Sequence, residues 1–202
     1  MLDGATVVFL RQGYAGATMR MIAAEAGVSV PTVEQLFGTK ATVLKAAIDV
    51  AIAGDDEPVP VLDRDWTARA LQAQDAEGYL TVVASIVAAA QARSAGLVLA
   101  AFEGARTESE LAALAERLAV QRERTAEWLV DALLEKATLR LGQSRSDAVD
   151  TLWIMMDSAV YERLRRHRHW TSQQYEAWFA RSVRHLLVPD ALPRPDKDQE
   201  PT

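Results

Sequence analysis

Apolar positions recur at helical spacing through most of the chain, and the punctuation between them divides it into segments. Phe9 to Lys40 carry a short apolar helix, a Gly13-Tyr14 break, and two compact helical segments joined by Ala26-Gly27-Val28-Ser29. Three short helices are thus predicted within residues 3–37. A fourth, from near Thr39 to about Ala53, sets Val43, Leu44, Ala47, Ile48 and Ala51 on one face. Gly54-Asp55-Asp56-Glu57-Pro58 stops that helix, and Pro60 keeps the link extended. Beyond Trp66 the pattern predicts helices over 66–92, 95–106 and 109–141, the last ended by Gly142.

Ser144, with Asp147 three residues on, opens a further helix carrying Val149, Leu152, Trp153, Met156, Val160 and Leu164 on one face. Thr171 and Gln174 form a capping box, with Trp170 and Tyr175 at the positions of a hydrophobic staple. The helix that follows places Tyr175, Trp178, Phe179, Ser182, Val183, Leu186 and Leu187 on a broad face. The fold class is therefore all-α. Residues 1–53 form an N-terminal helix-turn-helix domain, 61–188 a second helical domain, and 189–202, rich in proline and charge, a disordered tail.

A helix, a tight glycine turn and a serine-capped second helix make a helix-turn-helix, which docks on DNA. Gly27 can take the positive φ that ends one helix, and Ser29 can cap the next. Pro31 sits in the first turn, where a missing N–H costs no helical bond. Thr18 as N-cap presents a helix N-terminus to phosphate, with the charge of Arg20 nearby. Ser29, Val30, Pro31, Thr32 and Gln35 lie on or near the groove-facing start of the recognition helix. Gln35 is the side chain there suited to a bidentate contact with adenine, and Thr32 to a phosphate or a thymine methyl.

Charge qualifies this reading. The chain of 202 residues carries a net charge of −6. Within residues 1–50, Arg11, Arg20, Lys40 and Lys45 cancel Asp3, Glu25, Glu34 and Asp49, so the remainder holds the whole excess. A neutral reading head predicts a weak nonspecific electrostatic grip on DNA. The absence of cysteine excludes disulfides, thiolate zinc sites and thiol catalysis, and fits a reducing cytoplasm. The start of the chain shows no basic and then apolar leader, and Val82–Ala90 is too short to span a bilayer. A cytoplasmic protein without membrane contact is expected.

Phe9, Gly13-Tyr14, Thr18, Ile22-Ala23, Ala26-Gly27-Val28-Ser29, Thr32-Val33, Phe37 and Lys40 together resemble the DNA-binding module of TetR-type transcriptional repressors. The resemblance covers about the first 50 residues and implies a homodimer on a double-stranded operator, with Lys40 holding the DNA backbone. It also implies that the last two helices pair with their copies in a second subunit. Periodicity alone leaves open that both faces close the monomer core instead. Three departures bear on DNA binding. Glu34 stands where the family usually has a phosphate-donating Tyr, Leu36 stands where it often has His, and Met21 leaves the capping box at Thr18 incomplete. Glu34 then points away, pairs with a base such as Lys40, or contacts a cytosine amino group. The basic arm that often precedes the first helix is missing as well.

Trp66, Phe102, Trp128, Trp153, Met155, Met156 and Tyr161 are candidate walls of an apolar ligand pocket, with core packing as the alternative for each. Asp157, among apolar neighbours, is a candidate polar anchor or a solvated residue. No catalytic constellation, cofactor motif or metal site emerges. His167 and His169, two apart, lie on different sides of a helix, and the run Arg163–His169 reads as cations at a helix C-terminus. The expected function is a DNA-binding regulator, by resemblance a repressor, modulated by an apolar small molecule. The alternative is a ligand-binding helical protein whose degenerate helix-turn-helix holds DNA weakly.

Overall fold

Seven of the ten α-helices among the described residues start where the chain supplies a side-chain acceptor for otherwise unpaired N–H groups. In the computed structural model, which describes residues 1–55, 57 and 61–189, Thr18, Ser29, Thr39, Asp75, Ser144, Asp157 and Thr171 all cap helices this way. The N-terminal unit comprises α1 (Leu2–Gly16), α2 (Met19–Glu25), α3 (Val30–Phe37) and α4 (Lys40–Ala53). A 3-10 turn at Val61–Asp63 leads to α5 (Asp65–Gln72), α6 (Ala76–Gly104), α7 (Ser109–Leu134), α8 (Arg145–Met155), α9 (Ser158–Arg168) and α10 (Ser172–Leu187). No strand occurs among the described residues. The expected link prolines and all of the expected tail but Pro189 lie outside them.

Both predicted capping boxes form, at Ser144/Asp147 and Thr171/Gln174. The one at Thr18 is incomplete, as Met21 requires: Thr18 accepts from the Met21 N–H at 3.2 Å with no reciprocal bond. The Trp170 ring meets Trp178 edge-on at 5.9 Å.

Four boundaries differ from the periodicity. The helix expected over 66–92 is interrupted after Gln72, because Asp75 caps a new helix through the Gly78 N–H at 2.8 Å. That new helix, α6, runs through the expected break at 92–95. There Ser94 donates to the Ala90 carbonyl of its own helix, and Arg93 reaches out to the end of α4. α7 stops at Leu134 rather than at Leu141, and Lys136 just beyond donates to the carbonyls of Leu71 and Ala73 at the end of α5. The segment opened by Ser144 breaks at Asp157, whose carboxylate caps α9 through the Ala159 N–H at 2.7 Å.

α6 is the hub of the molecule, packing against α1, α4, α5, α7, α9 and α10. Its C-terminal turns join the N-terminal unit. Leu97, Ala101, Leu111 and Leu114 share one core with Phe9, Tyr14, Ile22, Val33, Leu44 and Ile48. Its N-terminal half builds a second core, in which Tyr79, Leu80 and Val83 meet Trp66, Leu129, Leu152, Tyr175 and Phe179. The approach at the first core is close. A Cβ on Gly104 would lie 2.3 Å from Leu111 Cδ1 and 2.6 Å from Tyr14 Cδ1, so a glycine is needed there.

α6 also corrects the reading of Val82–Ala90 as a short apolar stretch. It spans 29 residues with a window of mean hydropathy 1.6, long and apolar enough to cross a membrane by length and composition. Its alanine-rich surface instead packs against six helices, with Ala84, Ala88, Ala95, Ala100 and Ala101 all buried.

Candidate functional site

The helix-turn-helix is assembled by local hydrogen bonds. Gly27 takes φ +68°, and its N–H and that of Val28 donate to the Ala24 and Ala23 carbonyls. Ser29 Oγ then accepts from the Thr32 N–H at 3.2 Å and shares a 2.7 Å hydroxyl contact with Thr32. Val33 is fully buried and Val30 half-buried, so they anchor α3 on the N-terminal core. Thr18, Arg20, Ser29, Pro31, Thr32, Glu34 and Gln35 are all exposed, as is Leu36 at 63%. The start of α3 therefore offers hydroxyl, amide and carboxylate groups to a partner, in the arrangement that enters a major groove.

The cations of this unit are mostly occupied. Arg11 faces Glu25 at 3.9 Å and Lys45 faces Asp49 at 3.5 Å. Lys40, expected on the DNA backbone, is turned inward. Its ammonium donates to the carbonyls of Tyr14 at 2.8 Å and Ala17 at 3.0 Å, and lies 4.0 Å from the Tyr14 ring centre. It therefore locks the α1–α2 corner, with two of its three protons spent inside the chain. Glu34 does not pair with it; no hydrogen bond or ion pair to the Glu34 side chain occurs among the described residues. Arg20 alone of the four cations has no partner among the described residues.

A second feature is a cavity of about 140 Å³ between α4, α5, α6, α7 and the α8–α9 break. Of the candidate ligand residues, Trp66, Phe102 and Met156 line it, together with Ile52, Val83, Ile86, Val87 and Leu129. Trp128, Trp153 and Tyr161 do not. Trp128 meets Trp66 edge-on at 5.3 Å from behind. Trp153 carries the Arg122 guanidinium 4.2 Å above its ring centre. Tyr161 contacts the Tyr175 ring and shares a 2.9 Å hydroxyl contact with Ser172, holding α9 to α10. Asp157 is half-buried, capping α9 and pairing with Arg122 at 2.6 Å, so it acts through Arg122 rather than as a wall.

Sequence reasoning missed Gln91, Ser94 and Arg122 as lining residues. The signal available was the polar cluster Gln91, Arg93 and Ser94 inside an alanine-rich run, which reads equally well as a helix break.

Several contacts join the cavity to the reading head. Ile52, at the end of α4, lines the cavity, and Arg93 of α6 donates to the Ala51 carbonyl at 2.9 Å one residue earlier. At the start of α7, Glu110 accepts from the hydroxyls of Thr42 at 3.1 Å and Thr39 at 3.3 Å. Glu108 accepts from Tyr14 at 2.5 Å. Burial, reinforced by that carboxylate, pushes the Tyr14 phenol above its ordinary range, so it stays a proton donor.

These features define a helix-turn-helix protein with an all-helical, cavity-bearing second unit. Residues 1–47 match the family model of the bacterial regulatory proteins, tetR family. The match covers the N-terminal domain, the helix-turn-helix unit of the chain. No curated protein sequence matches it. Among solved structures it is similar to a protein of Saccharomonospora viridis, described as a transcriptional regulator and solved with choline. Identity is 16% and the TM-score 0.68, over 94% of this chain and 96% of that one. It is similar also to the regulator FadR of Bacillus subtilis in complex with stearoyl-CoA, at 15% identity and TM-score 0.67, covering 90% and 95%. The ketosteroid regulator KstR2 of Mycobacterium tuberculosis matches at 15% identity and TM-score 0.64, covering 94% and 93%. At such identities these likenesses establish the shared fold.

Proposed function

We propose that the chain is a cytoplasmic, homodimeric transcriptional regulator, a repressor, that reads a pseudo-palindromic operator and responds to an apolar small molecule in the cavity. The observation that carries it is the intact helix-turn-helix with its capped, exposed recognition helix. Thr18, Arg20, Ser29, Thr32 and Gln35 contact DNA, with Val30 and Pro31 shaping the start of the helix. Dimerisation is supported by apolar side chains that the monomer core leaves outside. Tyr175, Phe179, Val183 and Leu187 of α10 are buried, while Leu186 is 43% exposed and Ile154 of α8 is 54% exposed.

In such a dimer the two recognition helices must match major grooves about 34–36 Å apart. A ligand releases DNA only if it binds better to a state in which that spacing is lost. Ile52 at the end of α4, Arg93 and Glu110 provide a direct route from cavity to head through packed helices. The test is operator selection from random duplex DNA, with and without a metabolite library. Recovery of a two-fold-symmetric site, lost in the presence of some pools, is expected.

The inward-turned Lys40, a Glu34 without an ion pair among the described residues, and the exposed Leu36 favour a second reading, a ligand-binding protein whose head holds DNA weakly. Glu34→Tyr separates the two. If the carboxylate opposes phosphate, that variant binds nonspecific duplex several-fold more tightly in a low-salt anisotropy titration. Unchanged affinity would mean that Glu34 faces away from the DNA.

A further inference from the structure

The polar groups lining the cavity are unevenly satisfied. The Gln91 side chain, 8% exposed, donates its amide to the Met156 carbonyl, which fixes the amide orientation and leaves Oε1 buried with no partner. Arg122 spends Nη1 on Asp157, while its buried Nε–H has no acceptor. Three further donors around the cavity are committed to the backbone, Ser94 to Ala90, Thr125 to Gln121, and the Trp66 indole to Val61, while the Gln121 amide and the Ser158 hydroxyl also line it. Arg122 and Asp157 also cancel each other's charge. Among the described residues, the polar side of the cavity therefore holds a buried acceptor, Gln91 Oε1, and a buried donor, Arg122 Nε–H, without partners and at zero net charge, beside the Gln121 and Ser158 side chains; most of the other walls are aliphatic or aromatic.

Buried polar groups demand partners, and an unpaired charge brought here would find no free counterion. A hydroxyl can donate to one group and accept from another, so it suits both orphans without adding charge. The volume is close to that of an engineered apolar cavity that holds benzene. We infer that the cavity takes a compact, uncharged apolar molecule bearing a hydroxyl group, with Gln91 Oε1 as its acceptor and Arg122 Nε–H as its donor. This rests on the reading of the cavity as the ligand site.

Isothermal calorimetry on the full chain tests it with four probes of one shape: benzyl alcohol, toluene, benzoate and benzylammonium. Benzyl alcohol is expected to bind about tenfold more tightly than toluene, the scale of one or two net hydrogen bonds. Both ions are expected to bind more weakly than toluene. Tighter binding of benzoate or benzylammonium would overturn the inference while leaving the cavity a ligand site. Equal binding of toluene and the alcohol would do the same. If none of the four binds, the reading of the cavity as a small-molecule site fails with it. Gln91→Met keeps the length of the side chain and removes the acceptor, so most of the alcohol's advantage over toluene should vanish. An unchanged advantage would contradict the assignment, and the four wild-type isotherms decide it should that variant not fold.

Discussion

The reading head and the cavity are built in opposite ways. In the head, the caps and the turn are set by neighbours three or four residues away: Ser29 by Thr32, Thr18 by Met21, the turn by Gly27. In the cavity, the walls come from distant parts of the chain. Ile52, Gln91, Arg122 and Met156 come from four separate stretches and meet through ties such as Arg122–Asp157 and Gln91–Met156. A locally built site depends on caps and turn conformations, whereas an assembled one depends on a few buried polar contacts. Damage to one should therefore differ in size from damage to the other.

The largest effect is expected at the assembled end. Asp157→Ala removes the cap of α9 and strands the mostly buried Arg122 guanidinium over Trp153. Loss of a cap plus an uncompensated, partly buried charge predicts a cost of about 2–4 kcal/mol, read from urea unfolding midpoints. Ser29→Ala in the head should cost about 1 kcal/mol, the usual worth of a cap, since Thr32 and Ser29 lie at the surface. A result in which the two variants cost the same would erase the distinction.

The smallest effect concerns pH. Burial would raise the carboxyl of Glu162, but bonds from Arg165 and Arg166 hold it below the ordinary glutamate range. A carboxylate with a depressed folded value stabilises fully above its unfolded value and loses that contribution as pH falls through the folded one. Acid titration of stability should thus be flatter in Glu162→Gln below about pH 4.5, the unfolded glutamate range, with the wild type's advantage full at neutral pH and shrinking as the carboxylate protonates.

The same contrast explains what the sequence revealed. Gly27, Ser29, Ser144 and Thr171 announce their roles because caps and turns act over three residues. The all-α class and the helix-turn-helix follow from them. The break at Asp157 was hidden because the apolar face from Val149 to Leu164 keeps its period across it, and the capping role shows only in the fold. Arg93 and Ser94 look like punctuation, yet they lie mid-helix, one tied to α4 and the other to its own helix. Aromatic residues were the obvious pocket candidates, but Trp128, Trp153 and Tyr161 support other side chains. The polar lining of the cavity includes Gln91 and Arg122, which periodicity cannot distinguish from surface residues. Lys40 was placed by family resemblance, and only the structure shows its ammonium bound to Tyr14 and Ala17.

A head that recognises DNA through hydrogen-bonding groups on a nearly charge-neutral module should bind its site with an affinity that depends little on salt. With Arg20 as the one unpartnered cation per head among the described residues, a dimer neutralises about two phosphates through it, so the log–log slope of affinity against salt should be near −2. The decisive experiment is anisotropy of the wild-type protein on a selected duplex and on a scrambled one, across a salt series. Strong preference for the selected duplex with a slope near −2 is the result expected. A slope steeper than about −5, or equal binding to both duplexes, would mean that charge rather than the exposed face of α3 holds the DNA.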